Sequence, residues 1–220
     1  MTTQPKALTL RDHELTLELT SMCNLGCWWC SSSATASGKH VSPDALYGHL
    51  AENAATCSVV RLSGGEPTLH PSWRDVALRA KELGYRVVLL SNGQARERTA
   101  CPFVDEYIIH ITATGNDEYT ARWLRRVGLP VSLHAVLVDN TLGLGLALRM
   151  MAEDRFPLRL LALQRQGRGA STVSIPYPLL SWSGSHGCNK AKKVTIAHDG
   201  TRATCSALKY GECSLCRGQI

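Results

Sequence analysis

The sequence lacks any long hydrophobic segment. Its apolar runs are short, such as Ala135–Val138, and none can span a bilayer. The N-terminal segment Met1–His13 is polar and of mixed charge, so it lacks the apolar stretch of a secretory signal. Apolar residues make up 44% and charged residues 19% of the chain, which excludes wholesale disorder and a collagen-like sequence. At 220 residues, the chain fits one large domain or one domain with a small appendage.

Cysteine and positive charge, by contrast, are abundant. There are nine cysteines, several of them in tight local clusters, and the formal net charge is +6. An odd count without a secretory signal argues against a disulfide framework, because disulfides persist in oxidising compartments. We therefore expect a cytoplasmic protein whose cysteines hold a metal or a cluster. A basic chain also usually has an acidic partner.

The hydrophobic pattern alternates between short strand-like runs and longer amphipathic helices. The predicted strands are Glu14–Thr20, Ser58–Leu62, Arg86–Leu90, Glu106–Thr112, Val131–Val138 and Leu158–Leu163. The predicted helices begin after Ser42 or occupy Trp73–Leu83, Gln94–Ala100, Asp117–Val127 and Leu142–Glu153. Repeated β–α units imply a parallel sheet, and six units are too few for a closed eight-fold barrel. The predicted fold class is α/β, an open or partial (β/α)6 barrel with its chemistry at the carboxyl ends of the strands.

The composition of the chain changes after the last predicted strand. Residues 1–163 form the predicted barrel core, and residues 164–187, rich in Gly, Ser and Pro, form a predicted linker. Residues 188–220 form a small cysteine-bearing appendage. Within it, Val194–Ala197 and Thr201–Thr204 flank the pair Asp199-Gly200, which predicts a β-hairpin.

Three cysteines directly follow the first predicted strand. Cys23, Cys27 and Cys30 lie within eight residues, and thiolates are the usual ligands of iron–sulfur clusters. Three ligands on a four-iron cluster leave one iron open for chemistry. The competing interpretations are a zinc site or three buried cysteines, but a structural zinc needs four ligands and no fourth lies near Cys30 in the sequence.

The spacing of this triplet resembles the C-x3-C-x2-C signature of the radical S-adenosylmethionine (AdoMet) superfamily. Three further strand ends carry segments similar to motifs of that family: Gly64-Gly65-Glu66-Pro67, Ser91-Asn92-Gly93 and Ile111–Gly115. The resemblance covers about Glu14–Leu163. It implies a [4Fe–4S] cluster whose open iron chelates AdoMet, reductive cleavage of AdoMet to a 5′-deoxyadenosyl radical, and hydrogen abstraction from a substrate. It also implies a low-potential electron donor such as flavodoxin or ferredoxin.

The resemblance further assigns individual site residues. The implied cluster ligands are Cys23, Cys27 and Cys30, and the implied cofactor contacts are Trp29, Gly64, Gly65, Glu66, Ser91, Asn92, Thr112 and His134. Structural roles are also open for several of these: Trp28 or Trp29 as a shield of the cluster, Glu66 as an anchor of its loop, Asn92 as a turn residue, and His134 as a core histidine. Thr112 and Thr114 depart from the Ser and Asp of the family's S-x-D-G segment, which leaves no charged acceptor for a ribose at position 114.

The appendage carries a second group of cysteines: Cys188, Cys205, Cys213 and Cys216. Eleven residues separate Cys188 from Gly200 and four separate Gly200 from Cys205, a spacing that resembles the start of the SPASM and twitch appendages of radical AdoMet enzymes. With four cysteines it is similar to the shorter twitch type, which implies one auxiliary [4Fe–4S] cluster. A zinc site with four cysteine ligands is the alternative. Cys57 and Cys101 are expected to be ordinary small apolar residues.

Basic residues bear on the chemistry of the substrate. Two iron–sulfur clusters would reduce the formal charge of +6 to about +3, yet several cations group on one helix, after the last strand and in the appendage. They are Arg122, Arg125, Arg126, Arg165, Arg168, Lys190, Lys192, Lys193, Arg202 and Lys209. The last two groups lie at or beyond the strand ends, where substrate enters, and a phosphate-bearing substrate would suit them. A solvated basic surface is the alternative.

Three functions therefore compete. The first is a radical AdoMet enzyme acting on a small polar or phosphorylated molecule, or on a nucleotide or nucleic-acid base. The second is a radical AdoMet enzyme that modifies a peptide, although we expect 220 residues to leave no room for a separate leader-peptide domain. The third is a non-enzymatic zinc or iron–sulfur binding module. No membrane contact is predicted for any of them.

Overall fold

The computed structural model describes residues 11–137, 141–162, 167–171 and 193–203. These residues form an eight-stranded sheet with the strand order β6-β5-β4-β3-β2-β1-β7-β8. The strands are β1 His13–Glu18, β2 Cys57–Ser63, β3 Arg86–Ser91, β4 Glu106–His110, β5 Val131–Leu137, β6 Leu158–Ala162, β7 Lys193–Ile196 and β8 Arg202–Ala203. Strands β1 to β6 are all parallel to their neighbours, which confirms the predicted open α/β barrel.

Helices connect the parallel strands, as the sequence pattern predicts. They are α1 Pro43–Asn53, α2 Trp73–Glu82, α3 Arg96–Thr99, α4 Asp117–Arg126 and α5 Thr141–Asp154. The first begins as expected, because the Ser42 side chain accepts a hydrogen bond from the Ala45 amide at 3.3 Å. No helix in the described part of the chain combines the length and the apolarity needed to cross a bilayer.

The register gives the sheet one apolar and one polar face. Residues paired across parallel strands point to the same side, and alternate residues point to opposite sides. On one side, leucines and isoleucines such as Leu17, Leu62 and Ile109 are fully buried against the helices. The opposite, inner side of the barrel carries polar side chains instead. They are Glu14, Thr16, Glu18, Arg61, Glu106, His110, Ser132, His134 and Arg159.

One predicted strand ends early. The sequence pattern extends the fourth strand to Thr112, but β4 ends at His110. Beyond Ile111 the backbone amides of Thr112 and Ala113 donate to the side chain of Asp117, at 2.7 and 2.9 Å, instead of to a neighbouring strand. The chain therefore turns away from the sheet at the start of α4.

The predicted hairpin is confirmed for the residues that the structure describes. Strand β8 runs antiparallel to β7, with Thr195 opposite Ala203, and the turn includes Asp199 and Gly200. The structure adds that β7 pairs in parallel with β1, so the hairpin extends the barrel sheet at its β1 edge. The four cysteines of the appendage, Cys188, Cys205, Cys213 and Cys216, and most of the predicted linker lie outside the described residues.

Candidate functional site

The loop after β1 presents three thiols at the carboxyl edge of the sheet. Thr20 bridges to His40 and Met22 bridges to Thr35, which closes the loop into a compact unit. Within it, the Cys23 amide donates to the Thr35 carbonyl at 2.8 Å. Cys23, Cys27 and Cys30 are free thiols, not joined in disulfides, and each is of intermediate exposure.

The three thiols influence one another electrostatically. Burial, with smaller contributions from the neighbouring Cys23 and Cys30, raises the pKa of Cys27 to about 11. Burial also raises the pKa of Cys23, with added contributions from Glu66 and Cys30. Thiolates gathered in this way repel one another until a metal cation binds them, so the group is a set of soft donors suited to a metal cluster.

The cysteine loop offers three thiol groups, and thiolates are the usual ligands of iron–sulfur clusters. Among the described residues, no three His, Cys, Asp or Glu side chains are placed to hold one metal ion together. In a four-iron core each cysteine binds a different iron, so the thiolates need not converge on one point. The donor chemistry of the loop therefore fits a [4Fe–4S] cluster.

The loop after β2 docks directly on the cysteine loop. The Gly65 amide donates to the Thr20 carbonyl at 2.7 Å, and the Glu66 amide donates to the Met22 carbonyl at 2.8 Å. A Cβ atom on Gly65 would lie 2.2 Å from the Met22 oxygen, and Gly64 has a φ of 129°. Glycine is required here for the close approach of two backbones. This packing is additional to the cofactor contacts that the resemblance implies for Gly64 and Gly65, which stay a prediction.

Glu66 joins the β2 and β3 loops from a fully buried position. One carboxylate oxygen accepts from the Thr68 amide, the Thr68 hydroxyl and the Ser91 hydroxyl at 3.1, 2.6 and 3.0 Å, and the other accepts from the Asn92 amide at 2.7 Å. Burial raises the pKa of Glu66, and these hydrogen bonds oppose that effect. Both oxygens are thus engaged inside the chain, as the loop-anchoring interpretation requires.

Asn92 connects the β3 loop to the first cysteine. Its side-chain amide donates to Asn24 Oδ1 at 2.8 Å and lies 3.7 Å from Cys23 Sγ, while its own Oδ1 accepts from the Gln94 amide at 3.0 Å. The hydroxyl of Ser91 accepts from the Gly93 amide at 3.0 Å in addition to its bond with Glu66. The motifs after β1, β2 and β3 are therefore one hydrogen-bonded unit.

Asp117 is a site residue that the sequence analysis missed. Its buried carboxylate accepts from the hydroxyl and the amide of Thr112, and from the Ala113 amide. One turn further along α4, the Thr120 hydroxyl donates to the Gly93 carbonyl at 2.7 Å, which ties this loop to the preceding one. An acidic residue in the first turn of a predicted helix was the available signal. The hydroxyl of Thr112 thus bonds a carboxylate of the chain itself.

Arg168 is a second residue of the site whose position the sequence analysis did not predict. It lies in the short turn Gly167–Ser171 after β6, and its guanidinium donates to the carbonyls of Cys27 and Ala34, both at 2.9 Å. Its amide donates to the Cys30 carbonyl at 3.0 Å, and its charge lowers the pKa of Cys27, opposing the effect of burial. The sequence analysis grouped Arg168 with the cations that face substrate, whereas the structure places it against the backbone of the cysteine loop.

Two tryptophans lie between the second and the third cysteine. The rings of Trp28 and Trp29 meet edge to face with centroids 5.1 Å apart, and Trp28 is 43% exposed. Such a pair can keep water from a cluster or offer a face to an adenine ring. Both interpretations of Trp29 stay open.

Two histidines face the interior of the barrel below these loops. His110 pairs with His134 in the sheet register, and His134 pairs with Arg159. Loss of solvation lowers the pKa of His110 to about 4, although Asp117 opposes the shift. Loss of solvation, together with the nearby His110, Arg159 and Arg61, lowers the pKa of His134 to about 3. Both imidazoles are therefore neutral at neutral pH.

Because these histidines are neutral in the folded protein, we expect the protein to lose stability in mild acid. The unfolded chain binds a proton at His134 near pH 6.5, whereas the folded chain does so only near pH 3, so stability is lost as the pH falls below 6.5. At pH 5 the contribution of His134 amounts to about 2 kcal/mol. We expect His134→Gln to flatten the pH dependence of unfolding free energy between pH 7.5 and 5, measured by urea titration. Equal pH dependence in the two proteins would contradict the prediction.

Most of the described cations of the basic groups are paired within the chain. Arg122 pairs with Glu118 and Asp154, and Arg125 donates to the Asp154 carbonyl. Arg202 pairs with Glu52. Arg165, Lys190, Lys192 and Lys209 lie outside the described residues.

Comparison with known proteins identifies this architecture. Residues 17–136, more than half of the chain, match the sequence profile of the radical SAM superfamily. A 92-residue stretch is 34% identical to the AdoMet-dependent heme synthase of Methanosarcina barkeri (strain Fusaro), covering 40% of this chain and 26% of that protein. Streptococcus suis SuiB bound to S-adenosylmethionine superposes with a TM-score of 0.69 over 88% of this chain and 60% of SuiB, at 13% identity. BtrN in complex with AdoMet and 2-DOIA gives 0.53 over 90% of this chain and 74% of BtrN, at 16% identity.

The profile match over residues 17–136 identifies the class of protein to which this barrel and its cysteine loop belong. The chain belongs to the radical SAM superfamily, whose members use AdoMet and a [4Fe–4S] cluster. The predictions of the family and of an enzyme are confirmed at this level, and the likeness to SuiB and BtrN shows the shared fold. The chain spans less than two thirds of the length of the heme synthase and of SuiB.

Proposed function

We propose that the protein reductively cleaves AdoMet at a [4Fe–4S] cluster held by Cys23, Cys27 and Cys30. The cluster, when bound, supplies the electron that breaks a carbon–sulfur bond of AdoMet and yields a 5′-deoxyadenosyl radical. That radical abstracts hydrogen from a small polar or phosphorylated molecule, or from a nucleotide. The electron comes from a low-potential donor such as flavodoxin or ferredoxin.

The hydrogen-bonded path from Glu66 through Asn92 to Cys23 carries this proposal. It fixes the β2 and β3 loops against the first proposed ligand, at the edge of the sheet where parallel α/β proteins place their chemistry. The chain's own contribution is to hold and shield. Glu66 and Asn92 set the loop positions, and Arg168 fastens the segment around Cys27. The pair Trp28 and Trp29 either shields the cluster from water or offers a ring face to the adenine.

Anaerobic reconstitution tests the proposed function. We expect bound iron and sulfide, a broad visible absorption that dithionite bleaches, and formation of 5′-deoxyadenosine from AdoMet under reducing conditions. Zinc as the sole metal together with no 5′-deoxyadenosine would overturn the enzyme proposal in favour of a binding module.

A second candidate function is the modification of a peptide. SuiB bound to its precursor peptide SuiA superposes on this chain with a TM-score of 0.58 over 88% of its length, at 14% identity. Binding measurements separate the candidates: salt-sensitive binding of nucleic acid favours a nucleotide substrate, and salt-tolerant binding of a peptide favours the second candidate.

We further propose that Cys188, Cys205, Cys213 and Cys216 hold an auxiliary [4Fe–4S] cluster of the twitch type. The spacing around Gly200 supports it, and a zinc site remains the alternative. An auxiliary cluster can accept an electron from a substrate radical or fasten the appendage. Cys213→Ala separates these roles, since lost turnover with intact AdoMet cleavage supports electron transfer.

Arg168 is expected to govern how firmly the chain retains the first cluster. Arg168→Ala removes two charge-assisted hydrogen bonds to the loop that carries Cys27, worth about 2 kcal/mol together. We expect iron loss to a chelator to accelerate by about tenfold or more. Arg126→Ala, an exposed arginine on α4, is the matched control and should not change the rate. Equal iron loss in both variants would show that Arg168 does not secure the loop.

A further inference from the structure

The inner face of the barrel contains a cavity that the proposed cofactor chemistry does not use. Its volume is about 190 Å³, and it lies between β2, β4, β5 and β6. The polar groups that line it are Arg61, Glu106, Ser132, His134 and Arg159. Since β6 is an edge strand of the sheet, the cavity lies on the open side of the barrel, where a substrate can enter.

The charges in this cavity do not cancel. Arg61 is paired with Glu14 at 2.6 Å. Glu106 is paired with Arg86 at 2.6 Å and accepts from the Ser132 hydroxyl at 3.2 Å. Arg159 is exposed, and among the described residues no carboxylate lies within ion-pair distance of it. Within the described part of the chain, Arg159 is therefore the cation of this cavity that has no carboxylate partner.

His134 supplies a second polar group. The side chain is 9% exposed and lines the cavity, and no hydrogen bond joins its imidazole to any described residue. A ligand that accepts an N–H of this imidazole would add a hydrogen bond that the described residues do not supply. His110, beside it in the register, is likewise without a described hydrogen-bond partner.

The position of the pair relates the cavity to the cofactor loops. His110, the last residue of β4, is level with His134 and Arg159 in the sheet register, and Thr112 in the following loop belongs to the network around Asp117. The rest of the polar lining, Glu106 and Ser132, lies at the amino ends of β4 and β5. A group held at His134 and Arg159 therefore lies inside the barrel, level with the end of β4.

We propose that this cavity binds an anionic group of the substrate, a carboxylate or a phosphate, through the Arg159 guanidinium and the His134 imidazole. The inference rests on the proposed function, because it takes the barrel interior as the place where the substrate meets the AdoMet-derived radical. Arg159 supplies the charge and His134 a directional donor from a neighbouring strand, which together fix one end of the substrate.

Anion binding to the reconstituted protein tests the proposal. We expect acetate or inorganic phosphate to raise the unfolding temperature in a saturable way, since a ligand that binds only the folded state stabilises it. Arg159→Gln should weaken the half-saturating binding about tenfold. Arg159 is exposed, so we expect the Arg159→Gln variant to fold. Anion binding by His134→Gln provides the second measurement. Arg126→Gln should leave the effect unchanged, which excludes general salt stabilisation. Comparing acetate with phosphate identifies which anion the site prefers.

Three outcomes would overturn the proposal. In the first, neither anion stabilises the wild-type protein in a saturable way. In the second, the anions stabilise the wild type and Arg159→Gln equally. In the third, anion binding is lost when AdoMet is added. The last result would assign the two side chains to the cofactor instead. Uncoupled formation of 5′-deoxyadenosine by the wild-type protein is measured in parallel. If it is present while anion binding is absent, only the substrate inference fails, and if it is absent, the proposed function itself fails.

Discussion

Replacing Cys27 with alanine is expected to abolish both the loop cluster and AdoMet cleavage. Cys27 is the middle member of the triplet, and its thiol is coupled electrostatically to both Cys23 and Cys30. Removing it leaves two of three proposed protein ligands, and iron–sulfur clusters depend on their thiolates for retention. We expect 5′-deoxyadenosine to fall to the background seen without enzyme.

This measurement is decisive only if the cysteines of the appendage cannot bind iron. Cys188, Cys205, Cys213 and Cys216 are therefore replaced by alanine in the background protein, so that any remaining iron belongs to the loop. In that background we expect the reductant-sensitive absorption to vanish on adding Cys27→Ala. Cys101→Ala is the matched control, because Cys101 is 3% exposed and its recorded hydrogen bonds to Tyr107 use the backbone. A four-iron absorption that survives Cys27→Ala would refute the proposed ligand set.

The sequence predicts the barrel well because the patterns that mark its strands and helices lie within short stretches of the chain. Each strand of the series is a short apolar run followed by a helical stretch, the first of which is capped by Ser42, so β1 to β6 and the five helices are found where expected. Parallel strands also bring their carboxyl ends to one edge. The proximity of Cys23, Glu66 and Asn92 therefore follows from the order of the motifs alone.

The contacts that secure the site are not local, and the sequence pattern does not reveal them. Arg168 reaches a carbonyl 141 residues earlier in the chain, and no periodicity relates it to Cys27. Asp117 bonds the backbone of Thr112 and Ala113, which depends on how the strand end turns into α4. The addition of β7 to the β1 edge likewise depends on tertiary packing, since the hairpin signal specifies only its own two strands.

Glu66→Gln is expected to destabilise the protein strongly while changing its shape very little. The carboxylate accepts four hydrogen bonds at two oxygens, and every donor belongs to the β2 or β3 loop. A glutamine keeps one acceptor oxygen. Its amide then faces either the Asn92 N–H or the Thr68 and Ser91 donors, and a donor facing a donor is repulsive. Because the Glu66 side chain is only 1% exposed, water cannot separate or hydrogen-bond the two opposed donors. We expect a loss of about 3 kcal/mol in the free energy of unfolding.

A second consequence separates this role from that of an ordinary buried residue. Because the Asn92 amide is fixed by Glu66 while its side chain lies 3.7 Å from Cys23 Sγ, loosening this bond moves the β3 loop relative to the cluster loop. Urea unfolding and iron loss to a chelator, measured on the same samples, should therefore change together in Glu66→Gln. Glu82→Gln removes an exposed carboxylate paired with Arg79 and should stay within about 0.5 kcal/mol, with unchanged iron retention. Destabilised protein that holds its iron as firmly as the wild type would show that Glu66 supports the fold but not the cluster loop.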